Sequence, residues 1–349
     1  MSTNEETRPN IDDVRMEKAK KTNANLIFLI LSTVTVLVMP SFIVRGMAFA
    51  FLGQIIYAVA IAYFMTVMRK SKPIIIVVAA VLGIISVAIT LFLANYYNAL
   101  TCMSGLLLGL TIGVGLRLKF GFNELFVLSA AAYLIPIVVS LSLYDNFYGV
   151  GAFSEVVGGF FEEFKQFIFN TTGVVNQVTT EGSLVNLQKD MGLYVETLHN
   201  AFVYSLPAIY TIVSMIIAYV SIRFTGMFLW DRRDVSRLIP PFFTLRLSRS
   251  VPIVLLISVL LTFSLKSELY ATVFDNIYTI LMFAAFACGL SVIDFYLMWR
   301  IPVGTVRFII YLTVIFLATD SLIPFLTVIG LIDSMFKLRV VRISNNNLQ

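Results

Sequence analysis

The chain has 349 residues, of which 59% are hydrophobic and 13% charged, with a net charge of +5, whereas a soluble domain carries about 25% charged residues. A soluble core could not hide that much apolar side chain, so lipid is the solvent for most of the sequence. Two cysteines inside apolar runs and a single histidine give neither a disulfide framework nor a metal-ligand spacing. No metal or cofactor is expected.

Residues 1–24 read as a charged cytoplasmic tail. No small-residue cleavage pattern follows the first apolar run, so that run is expected to remain as a span and not to be removed as a signal peptide. Apolar stretches of helix-spanning length predict spans at 26–44, 47–68, 74–94, 98–116 and 124–144, grouped as one membrane block over 25–144. Three further spans fall at 201–222, 251–265 and 277–299. Asp320 and Pro324 interrupt the last apolar stretch, which predicts a short hairpin of 308–319 and 322–335, and the second membrane block runs over 201–337. A single tilted span over 308–335 is the competing reading. The fold class is therefore all-α, a polytopic transmembrane bundle of about eight spans plus a C-terminal hairpin, and 338–349 is a short tail.

Orientation follows from charge, because basic residues collect on the cytoplasmic side. With the N-terminus inside, the 25 basic residues fall on inner segments except Arg45, Lys165, Lys189 and Lys266. Both ends then lie in the cytoplasm and the protein is a multi-pass component of the cell membrane. Trp230 and Trp299 sit at or near inner boundaries, and Tyr96, Tyr97, Tyr144 and Tyr148 at outer ones, where aromatic rings settle. Between the blocks, 145–200 is an extracytoplasmic insertion. Phe153, Val157, Phe160, Phe161 and Phe164 recur there at helical spacing opposite Glu155, Glu162 and Glu163, which predicts an amphipathic helix. It packs over the bundle or acts as a lid. Asn170-Thr171-Thr172 fits a glycosylation sequon.

Within the spans, Gly105, Gly109 and Gly113 form one row in the fourth helix, a pattern that lets another helix approach closely. Acidic residues are the costly feature of a membrane segment, at about 2.5–3.5 kcal/mol each on insertion scales. Asp294, Asp320 and Asp333 are accordingly the substrate or ion candidates. Asp320 stands out because it falls at the break of the hairpin, where unwound backbone and a carboxylate can together hold a cation or polar ligand. Asp294 precedes Arg300 by about one and a half turns, and Asp333 precedes Lys337 by four residues, the spacing of an ordinary helical ion pair. The loop bearing Arg223, Arg232, Arg233, Arg237, Arg246 and Arg249 suits anionic lipid headgroups or a cytoplasmic protein partner. Nucleic acid is not an expected partner, since these arginines already set topology. The sequence has no phosphate loop, zinc-protease helix or nucleophile elbow, so no catalytic residue is assigned and an enzyme is not expected.

Three short motifs stand in order in the C-terminal third. They are Ile239-Pro240-Pro241-Phe242 ahead of a span opening at Val251-Pro252, Ala287-Cys288-Gly289-Leu290, and Gly330-Leu331-Ile332-Asp333 followed by Leu338-Arg339. This order resembles the YybS-like family of predicted bacterial membrane proteins, itself distantly similar to the substrate-binding subunits of energy-coupling-factor vitamin transporters. The resemblance implies a protein that captures a small molecule and relies on separate ATPase subunits for energy. The rival expectation is a non-transporting scaffold that recruits a partner through its arginine-rich loop. Exchanging Asp320 for Asn separates the two, since only the first reading predicts lost solute binding.

Overall fold

The computed structural model describes residues 47–67, 74–93, 96–149, 181–229, 238–264, 268–317 and 322–336, together with 34, 155, 157–159, 161–163, 166 and 339. The expected first span at 26–44 (apart from Val34), the sequon at Asn170, Arg232, Arg233, Arg237, Asp320 and Lys337 lie outside the described residues. The elements are helices: α1 (Met47–Val67), α2 (Ile74–Leu93), α3 (Tyr96–Leu118), α4 (Phe122–Tyr148), α5 (Glu181–Phe228), α6 (Ser250–Ser264), α7 (Glu268–Met298), α8 (Gly304–Leu317) and α9 (Leu322–Phe336), with a 3-10 turn at Phe242–Thr244. Among the described residues there is no strand. Large apolar side chains face outward in numbers that water would not tolerate, Phe92 at 90% and Phe263 at 87% exposure being the extremes. Segments 99–118, 122–148, 193–228 and 269–298 are long and apolar enough to cross a bilayer. The fold is an all-α membrane helix bundle.

The chain divides into two compact units. In the first (Met1–Ser140 with Ser214–Ile239), α1 packs along α3, and α2 lies against α3 as well. Gly105, Gly109 and Gly113 form the seam. A Cβ on Gly109 would stand 2.7 Å from the Ala58 carbonyl oxygen, and one on Gly113 2.8 Å from Met65 Sδ. The missing side chains let the two backbones meet, and dispersion contact supplies the attraction that lipid withholds from apolar surfaces. Tyr57, Ile61, Phe64, Met65, Cys102 and Leu106 fill the core around this seam. Its few polar groups are paired across helices. The Tyr57 and Ser86 hydroxyls lie 2.7 Å apart, Tyr133 donates to Gln54 Oε1, and Gln54 Nε2 donates to the Thr101 carbonyl at 3.3 Å. The turn between α3 and α4 is local chemistry. Lys119 takes a left-handed φ of 58°, the Phe120 N–H closes on the Gly115 carbonyl at 2.9 Å, and Glu124 Oε2 accepts the Gly121 N–H at 3.3 Å.

The second unit (Leu141–Val213 with Pro240–Gln349) is organised by α7, against which α6, α8, α9 and the 3-10 turn all pack. The α7–α9 crossing is closer than the one in the first unit. A Cβ on Gly330 would fall inside the Ala285 carbonyl oxygen, and one on Gly289 inside that of Leu326. Two backbones touch there with no side chain between them. α8 and α9 flank residues 318–321, which lie outside the described residues.

α5 differs from expectation at its start. It begins at Glu181, inside the segment assigned to the insertion, and continues unbroken to Phe228. At about 1.5 Å per residue its 48 residues extend well beyond a hydrocarbon layer about 30 Å thick. The apolar-run criterion marks only the lipid-embedded part of a helix, and the polar first turns of α5 escape it. Pro207 lies within α5 and has no N–H. At this point the side chain of Asn276 on α7 enters the helix ladder. Its Oδ1 accepts the Ala208 N–H at 2.9 Å and its Nδ2 donates to the Tyr204 carbonyl at 2.9 Å, two groups that an uninterrupted helix would join to each other.

Candidate functional site

Two buried carboxylates of the second unit, Asp333 and Asp294, carry the polar chemistry to be explained, and hydrogen-bond accounting separates them. Asp333 lies on α9 one turn beyond the glycine crossing and is 2% exposed. The sequence pairs it with Lys337, which lies outside the described residues; its partner among the described residues is Arg339, which is 1% exposed. Arg339, six positions on, reaches back to the carboxylate. Arg339 Nε and Nη2 donate to Asp333 Oδ2 at 3.1 and 2.6 Å. Nη1 donates to the Phe243 carbonyl at 2.5 Å and to Ser291 Oγ at 2.8 Å, and Nη2 also donates to the Leu245 carbonyl at 2.7 Å. A guanidinium has five N–H groups, and here each has an acceptor. Ser291 donates in turn to the Phe242 carbonyl at 2.7 Å. Arg246 adds a longer contact, with Nε 3.9 Å from Asp333 Oδ2. The Arg339 guanidinium is thus fully engaged in a structural lock.

Asp294 is buried at 5% exposure on α7, and its neighbours come from α8. Tyr311 donates its hydroxyl to Oδ1, and Arg307 Nη1 stands 3.0 Å from the same oxygen. Arg307 and Tyr311 are four residues apart, which sets both on one face of α8. The Phe242 ring leans on Tyr311 with centroids 6.2 Å apart. Here the accounting does not close. Arg307 Nε and Nη1 are buried without an aligned hydrogen bond, and a buried donor left unmade costs about 1–3 kcal/mol, more when charged. Asp294, whose distance from Arg300 in sequence puts it near enough to the inner interface to be solvated or paired, is paired with Arg307 because α8 folds back against α7.

The remaining candidates are placed as follows. Asp320 is outside the described residues, as are Arg232, Arg233 and Arg237. Arg249 is exposed, Arg223 half-buried, and Arg246 partly drawn toward Asp333. Gly105, Gly109 and Gly113 line the α1–α3 seam and belong to packing. His199 abuts the insertion, its ring 5.3 Å from that of Phe161. Arg307, Tyr311, Ser291 and Arg339 were not singled out from sequence as site residues. The one signal available was the four-residue spacing of Arg307 and Tyr311, two polar groups on one face of an otherwise apolar helix.

The motifs that order the C-terminal third all meet at this lock. Pro241 leads into the turn whose Phe242 and Phe243 carbonyls, with that of Leu245, accept from Ser291 and Arg339, while Gly289 and Gly330 make the crossing. The chain belongs to the DUF2232 family of predicted membrane proteins, whose model matches residues 26–334. No curated protein and no solved structure matches it.

Proposed function

Taking membership of that membrane family as the premise, we propose that the protein binds a small solute at Asp294, Arg307 and Tyr311 and serves as a transporter component without its own ATPase. The observation that supports this is the pair of buried Arg307 N–H groups without hydrogen bonds beside a buried carboxylate. A buried guanidinium N–H is a charge-assisted donor for an oxygen of a polar solute, and Asp294 with the Tyr311 hydroxyl offers a polar wall beside it. Intramembrane ionisable groups of this kind mark substrate or ion paths more often than fold elements. The resemblance of the C-terminal motif order to the YybS-like family, itself distantly similar to solute-capturing subunits of energy-coupling-factor transporters, supports the same reading. Both chain ends face the cytoplasm in this reading, supported by the placement of all but four of the 25 basic residues.

The test is native mass spectrometry of the full chain released from lipid nanodiscs. The parent retains a reproducible small molecule. Arg307→Gln loses it, and Arg307→Lys, which keeps charge but not the fork, retains it weakly. Asp320→Asn, made in parallel, reports whether the hairpin break contributes. A parent that retains nothing in any preparation, or an Arg307→Gln protein that retains it equally, sinks the proposal. A soluble protein co-purifying with the parent and released by neutralising Arg246 and Arg249 would instead favour the scaffold.

A further inference from the structure

At the end of α7, on residues apart from Asp294, lies a shallow groove of about 410 Å³ lined by Ile293, Tyr296, Leu297, Trp299 and Arg300. That volume falls within the range of about 300–1,000 Å³ typical of small-molecule sites. Trp299 is 56% exposed and Tyr296 39% exposed, so both rings flank the opening and neither closes it. Unlike Arg307 and Arg339, Arg300 makes no ion pair among the described residues. The helix stops here through the Leu297 carbonyl, which accepts from the Arg300 N–H at 2.9 Å and the Ile301 N–H at 2.7 Å. A basic residue at a helix C-terminus complements the dipole, but that accounts neither for the groove nor for the two rings beside it.

We propose that this groove is a binding site for an anionic phospholipid. The order of side chains along the groove is the argument. Ile293, Tyr296 and Leu297 lie within the segment 269–298 that is long enough to span, Trp299 follows at its boundary, and Arg300 lies just beyond. From Ile293 to Arg300 is about 10 Å along the helix axis. A leaflet presents acyl chain, glycerol and phosphate in the same order toward water, and aromatic rings settle between the last two. The acyl chain lies on Ile293 and Leu297, and the phosphate pairs with the Arg300 guanidinium. The net charge of +5 favours an anionic headgroup over a zwitterionic one. This site is independent of the solute reading and stands or falls without it.

Tryptophan fluorescence tests it. The chain has two tryptophans, so Trp230→Phe leaves Trp299 as the only reporter in the full chain. The protein is reconstituted in phosphatidylcholine vesicles containing brominated phosphatidylglycerol or brominated phosphatidylcholine. Quenching by the anionic lipid should correspond to a preference of about fivefold, the factor for one basic residue near a charged surface. Arg300→Gln brings the ratio to one, and Arg300→Lys keeps most of it. Salt gives an arm that needs no variant at Arg300: the preference falls as ionic strength rises. Inorganic phosphate exchanged for chloride at constant ionic strength leaves the quenching unchanged. A ratio near one in the Arg300 protein, a preference insensitive to salt, one that survives Arg300→Gln, or displacement by inorganic phosphate would each overturn the proposal.

Discussion

Removing the Arg339 guanidinium would leave the Asp333 carboxylate buried at 2% exposure, with only the distant Arg246 in range among the described residues and with Ser291 Oγ and two backbone carbonyls short of a donor. Breaking a buried pair from one side costs about 3–5 kcal/mol, whereas replacing both partners with apolar residues of similar size is often neutral. Arg339→Met is therefore expected to lower stability by about that amount, and Asp333→Leu combined with Arg339→Met to recover part of it. Reversible unfolding in mixed micelles, read as a double-mutant cycle, checks this. A double variant whose loss equals the sum of the two single losses would show that the pair does not act as a unit. The sequence made Asp333 visible as an expensive charge but not its partner. Helical spacing favoured Lys337, and the choice of Arg339 depends on acceptors at Phe243 and Leu245, whose bonds to it span 96 and 94 residues.

Among the helices, the glycine contacts set a ranking. At Gly330 and Gly289 an added methyl meets the backbone of the facing helix, which cannot give way without moving α7 and α9 apart. At Gly113 it meets the flexible Met65 side chain, and at Gly105 it stands 3.0 Å from Tyr57 Cδ1. Gly330→Ala and Gly289→Ala are expected to be destabilising by several kcal/mol or to abolish folding, well above the roughly 1–3 kcal/mol of ordinary overpacking expected at Gly105→Ala. Thermal unfolding of the variants in one detergent gives the order, and a Gly105→Ala protein less stable than Gly330→Ala would contradict it. The glycine row in α3 was legible because it repeats at a fixed interval. The Gly289–Gly330 contact was not, since one glycine on each of two helices makes no pattern until the helices cross.

For the whole molecule, hydropathy was the legible quantity, because a bilayer imposes one length and one polarity on every helix that crosses it. How far α5 runs past that layer was not, since nothing in lipid fixes the end of a helix that continues into water. Orientation is open to direct measurement. Cys102 and Cys288 are both buried, so a Cys102→Ala, Cys288→Ala background accepts single reporters. Glu162→Cys in the insertion should react with a membrane-impermeant maleimide on intact cells, and Arg249→Cys only after permeabilisation. The opposite result at both positions would invert the topology. The splice of Asn276 into α5 also bears on how the protein is made. Ala208 N–H and the Tyr204 carbonyl meet a side chain 68 and 72 residues downstream. Without α7 the two groups can bond to each other as in any helix, so docking of α7 exchanges one local bond for two long-range ones and ties the backbone of α5 to its neighbour.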